Sequence, residues 1–209
     1  MRVRLAAVAA LAAIAAAALP SSAGVALVID DPAGDANFSG LHGGTVPAGS
    51  QAGLDITKVT FDTTVKDGNP SAVKIDLTMS AAPSTLPTSS YGIIATHSVC
   101  GQLRLQIYYS ESGPTTYGDL AACGANDDPT STNAEQFAID FEPKIEGNIL
   151  RLQIPFKSLP KEFKVGSIVS EISAYTSTAE FVLAGYQPTD FEPSAGVDTV
   201  ITDKSWKIS

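Results

Sequence analysis

The stretch Ala72-Val73-Lys74-Ile75-Asp76-Leu77-Thr78-Met79-Ser80 decides the fold. Val73, Ile75, Leu77 and Met79 take every second position, with Lys74, Asp76 and Thr78 between them. Side chains alternate faces along a strand, so this segment has one apolar and one polar side, as a half-buried antiparallel strand does. Asp67-Gly68-Asn69-Pro70 before it is a strong turn signal, and residues 54–65 precede that turn with a second strand pattern, which predicts a hairpin. Within 54–65 the apolar phase changes between Leu54/Ile56 and Val59/Phe61, as a bulge or a two-sided strand would make it.

The same pattern extends outward. Leu103, Leu105, Ile107 and Tyr109 alternate with Arg104, Gln106 and Tyr108, and Leu150, Leu152 and Ile154 share a phase. Further strands are expected at residues 25–29, 91–96, 135–141, 168–175 and 180–183, and near the C-terminus with Val200, Trp206 and Ile208. Beyond the N-terminal 23 residues no window carries a 3.6-residue apolar period. Residues 157–164, broken by Pro160, are the only helical fragment expected. The fold expected is therefore all-β, an antiparallel sandwich of jelly-roll or immunoglobulin-like type with about nine to eleven strands.

The N-terminus reads as an export signal. Arg2 and Arg4 precede an apolar run over residues 5–19, and Ser21-Ser22-Ala23 offers small residues for cleavage. That run is shorter than the roughly 20 residues a spanning helix needs. The expected organisation is a cleaved signal peptide at 1–23 and one domain at 24–209, secreted, extracellular or in the cell envelope, with no membrane span in the mature chain. Losing Arg2 and Arg4 takes the 13 basic residues to 11 against 22 acidic ones, and the net charge from −9 to −11. Such a surface argues against nucleic acid, whose phosphates are met by Lys and Arg. Cys100 and Cys123 are the two cysteines, and in an oxidising compartment they are expected to form one disulfide.

The chemistry-bearing stretch is Ile29-Asp30-Asp31-Pro32-Ala33-Gly34-Asp35-Ala36-Asn37. Pro and Gly fold it into a tight loop that crowds three carboxylates. Like charges at ~5 Å repel by roughly 3 kcal/mol per pair at an effective dielectric near 20. A hard cation reverses that sign, and calcium takes six to eight oxygens from such loops. The stretch is no EF-hand, since counting from Asp31 the sixth position is Ala36 and the twelfth His42. Asp31, Asp35 and Asp55 are the first choices as ligands, with Asp30 and Asn37 filling in. Asp198 joins them if the chain termini pair. A solvated turn with no ion is the plainer alternative.

Asp31-Pro32-Ala33-Gly34-Asp35, the Gly-rich excursion after it, Pro47 and Leu54-Asp55-Ile56 resemble the opening of secreted bacterial sandwich domains. These are the calcium-bearing relatives of family 9 carbohydrate-binding modules, the C-terminal module of glucodextranase, and the DOMON-like group. Leu152-Gln153-Ile154-Pro155-Phe156, Gly166-Ser167-Ile168 and Ala174-Tyr175-Thr176 are similar to the late part of that pattern. The resemblance implies a structural calcium held by the acidic loop and the aspartate opening the next strand. It also implies a non-catalytic module that binds a polysaccharide or a cell-envelope component. Ala36 departs from the pattern where many relatives place a second acidic residue. DOMON relatives that bind haem use Met and His, for which this chain offers Met79 and His97.

Tyr108, Tyr117 and Tyr175 are the expected ligand surface, since an outward tyrosine stacks on a sugar or anchors a partner. Catalytic signals are poor. Ser71-x-x-Lys74 and Ser158-x-x-Lys161 match a β-lactamase-type spacing without the helix it needs, and neither a Gly-x-Ser-x-Gly elbow nor a His-Glu-x-x-His motif occurs. Acid pairs such as Asp140 and Glu142, taken to share a strand face, are the carboxylates for a glycosidase alternative. Asn126-Asp127-Asp128 reads as a solvent-facing turn.

Overall fold

The computed structural model describes residues 25–36, 51–87, 89–121, 123, 137–177 and 198–209. These form twelve strands in two antiparallel sheets, with no helix beyond two 3₁₀ turns. The five-stranded sheet runs β1 (Leu27–Asp30), β2 (Ile56–Lys66), β3 (Asn69–Met79), β9 (Ile149–Pro155), β8 (Glu142–Glu146). The seven-stranded sheet runs β11 (Asp198–Thr202), β10 (Ile168–Ser177), β4 (Ser90–His97), β5 (Gly101–Ser110), β6 (Gly113–Leu120), β7 (Phe137–Ala138). The short β12 (Trp206–Lys207) also pairs with β10. The chain is thus an all-β sandwich.

The β2–β3 hairpin forms where the sequence placed it, closed by Asp67 and Gly68, both at positive φ. The phase change in β2 is a register shift between Ile56 and Lys58, which lets Ile56 and Val59 both face inward across three positions. Val73, Ile75, Leu77 and Met79 of β3 meet Leu103, Leu105 and Ile107 of β5 in one core, with Leu150, Leu152 and Ile154 of β9. Phe61 of one sheet and Trp206 of the other pack with ring centroids 5.8 Å apart, locking the C-terminus onto the opposite layer. Trp206 is therefore core and no sugar platform. On the outer face of the smaller sheet the charges pair across strands, Lys74 with Asp62 at 3.2 Å and Arg151 with Asp76 at 2.7 Å. Lys74 of the β-lactamase-like spacing is spent there.

Two expectations are corrected, and two strands were not foreseen. Of the strand expected at 135–141, Phe137 and Ala138 are strand, while Ile139 and Phe141 turn into the core from irregular backbone. The helical fragment at 157–164 reduces to a 3₁₀ turn at Phe156–Ser158, since Pro160 denies it a next turn. β6 and β8 appear where no strand was expected. The expected strand 180–183, Asn37 and the Asn126-Asp127-Asp128 segment lie outside the described residues, as does the expected signal peptide at 1–23. Among the described residues no helix is long and apolar enough to cross a membrane.

Candidate metal centre

The acidic loop follows β1 and folds back over the start of β2. Asp31 N–H donates to Thr57 O at 3.0 Å, prolonging the β1–β2 ladder by one residue. Gly34, at φ +85°, points its N–H at Asp55 Oδ2, 2.8 Å away. Only glycine takes that backbone conformation freely, so the loop closes there. Ser80 Oγ donates to the same Asp55 oxygen. On the far side, Asp198 opens β11 and accepts the Ile56 N–H through Oδ2 at 2.5 Å. Residues far apart in sequence thus converge on one corner, where the β1–β2 edge of one sheet meets the β10–β11 edge of the other.

Asp31, Asp35 and Asp198 each bring a carboxylate oxygen within 4.8 Å of the others, the group among the described residues that could hold a metal ion. Asp55 lies outside that trio and borders it, close enough for its charge to act on both Asp31 and Asp198. Burial, then the charges of Asp35, Asp198 and Asp55, push the Asp31 carboxyl up to about 6. Burial likewise pushes Asp198 up to about 6, with Asp35 and Asp55 adding to it and the Ile56 N–H opposing. Among the described residues no cationic side chain acts on either carboxyl. Two oxygens sharpen the picture: Asp31 Oδ2 and Asp55 Oδ1 are buried without a hydrogen-bond partner among the described residues, and Asp55 is only 3% exposed. A buried carboxylate oxygen left unpaired is costly, and a hard divalent cation is the partner that four carboxylates and no base would suit.

Of the six expected ligands, the structure gathers Asp31, Asp35 and Asp198, with Asp55 at their border. Asp30 points away on the outer face, 3.7 Å from Lys58 Nζ, because alternation in β1 turns Ile29 inward and its neighbours out. Ser80 and the Gly34 N–H complete the corner and were missed, since nothing in their local sequence marks them as partners of an aspartate.

The three tyrosines share one surface, the outer face of the seven-stranded sheet. Register places Tyr175, Gly92, Gln106 and Tyr117 in one row across β10, β4, β5 and β6, with Tyr108 in the next row. Tyr175 lies over Gly92, where an added Cβ would come within 2.0 Å of its ring, and it is only 3% exposed. Tyr117 is exposed and donates to Asp119 Oδ2 at 2.8 Å, and Tyr108 is half-buried. Asp119 also takes Arg104, whose Nε is 2.9 Å from Oδ1, and this bidentate pair raises the guanidinium further. Sequence reading passed over Asp119 because its strand carries no apolar alternation.

Other candidates disperse. Asp140 lies in irregular chain and Glu142 begins β8, so they share no strand face. Met79 sits in the core, while His97 spends Nδ1 on the Val99 and Cys100 N–H groups and stacks on Phe163. As placed, these two do not fit a haem pair. Cys100 and Cys123 form a disulfide with Cα atoms 4.8 Å apart, tying the start of β5 to the chain beyond β6. No family model, curated protein or solved structure matches the chain.

Proposed function

We propose that this chain is an exported, non-catalytic β-sandwich whose two sheets are braced at one corner by a calcium ion, and that it works as a binding module of the cell envelope or its surroundings. The observation that carries the reading is the pair of unpartnered buried oxygens, Asp31 Oδ2 and Asp55 Oδ1, beside the Asp31–Asp35–Asp198 trio. Asp31, Asp35 and Asp198 would hold the ion, with Asp55 completing the shell. A bound calcium would supply charge neutralisation and nothing catalytic. The disulfide and the expected leader support export. Calorimetric titration of chelator-stripped protein should show one calcium site that Asp35→Asn weakens at least tenfold. Absence of binding heat, with an unchanged melting midpoint, would overturn the reading.

For the bound partner we infer a polysaccharide. Tyr117 and Tyr108 stand on the same outer face as Gln106 and the Arg104–Asp119 pair, which sets aromatic surface beside hydrogen-bonding groups. Co-sedimentation with insoluble polysaccharides should retain the protein, and Tyr117→Ala should reduce retention several-fold. Equal retention of the two proteins would remove the tyrosine face from the argument.

A further inference from the structure

The corner is anchored unequally on its two sides. The start of β2 is held by bonds that involve nothing in residues 27–36. Leu54 O accepts from Thr176 Oγ1 at 2.6 Å, Ile56 N–H donates to Asp198, and Gly53 O accepts from the Tyr91 hydroxyl at 2.8 Å. Asp55 O accepts from Ser80 N–H at 2.9 Å, and β2 pairs along its length with β3. Asp55 and Asp198 are therefore fixed to the body of the sandwich.

β1 is not. It is four residues long, pairs among the described residues with β2 alone, and buries fully only Ile29, with Leu27, and Ala36 of the following loop, packing in part against the core. The loop after it is tied by the Asp31 and Gly34 N–H bonds, and Asp30 meets Lys58 in an exposed ion pair. Exposed ion pairs stabilise little. Asp31 and Asp35 ride on this weak side and face the carboxylates of the strong side. Without a cation between them, the like charges are separated most easily by moving β1 and its loop away from a corner that stays put.

We propose that the cation is a releasable latch on β1: its removal frees residues 27–36 while the rest of the sandwich stays folded. The proposal rests on the calcium reading above, and on Asp55, more than nine-tenths buried at the border of the acidic trio, whose Oδ2 is held by Gly34 and Ser80 while Oδ1 has no partner among the described residues. Release would bare the backbone edge of β2, a surface able to accept another strand.

Hydrogen exchange followed by mass spectrometry, with calcium and then with excess chelator, tests it. Any opening that sheds the ion is suppressed by one plus the ratio of free calcium to its dissociation constant. At ~100 times that constant, exchange in peptides covering 27–36 should slow about 100-fold relative to chelator. In chelator the same peptides should exchange far ahead of β3 and β10, with the Trp206 fluorescence of the folded state retained. Asp35→Asn, at an exposed position, should lose at least about tenfold of that protection at the same calcium concentration. If calcium binds but residues 27–36 exchange in step with β3, or do not respond, the latch is overturned and the calcium site stands. If no calcium binds, both fall.

Discussion

His97 ends β4 with Nδ1 turned back on the chain, accepting the Cys100 N–H at 2.9 Å and the Val99 N–H at 3.3 Å. The proton of the neutral ring is then on Nε2, which is buried without a partner among the described residues, and the ring lies 4.4 Å from Phe163. Protonating Nδ1 would remove both acceptances beside the disulfide, and burial lowers the group from its ordinary 6.5. The sign follows: the unfolded chain takes up the proton first, so this contribution is complete above pH 6.5 and is lost as pH falls below it. Denaturant unfolding from pH 7.5 to 5 should show the parent losing stability relative to His97→Asn, whose amide oxygen can replace Nδ1 as acceptor. Parallel pH curves would refute this. Residue-scale reading of the sequence could not see it, because the tautomer is set by a turn that closes only in three dimensions.

Among the elements, legibility tracked burial. β3 and β5 bury one face each, so a period of two is written plainly into Val73 to Met79 and Leu103 to Tyr109. β8 buries no side chain fully, and β6 exposes Pro114, Thr115, Thr116 and Tyr117, so neither shows alternation. Strands of this kind are recruited by a neighbour's free backbone edge, which composition does not record. The disulfide belongs to this scale, since it ties the start of β5 to the chain just past its partner β6 across 23 residues. Replacing both cysteines by serine should lower unfolding free energy by roughly 3 kcal/mol in the chain-entropy model. Denaturant titration reads this directly, and a loss under about 1 kcal/mol would show that the β5–β6 pairing already restrains the unfolded loop.

For the whole molecule the decisive contact is the corner that joins the two sheets. Calcium binding there at ~10 µM would add about 2.7 kcal/mol at millimolar concentration, or ~5–10 °C in melting midpoint for a chain this size. A midpoint indifferent to chelator would deny the ion any part in stability. The sequence by itself determined the class of fold, the hairpin and the acidic loop, because each is a short-range pattern of apolar period or turn chemistry. Tertiary structure alone decided which carboxylates meet. Asp30 is adjacent to Asp31 yet faces away, since alternation in a strand sends neighbours to opposite sides. Asp198 lies 142 residues from Ile56, the residue whose N–H it accepts, and reaches that corner because β10 and β11 carry it there.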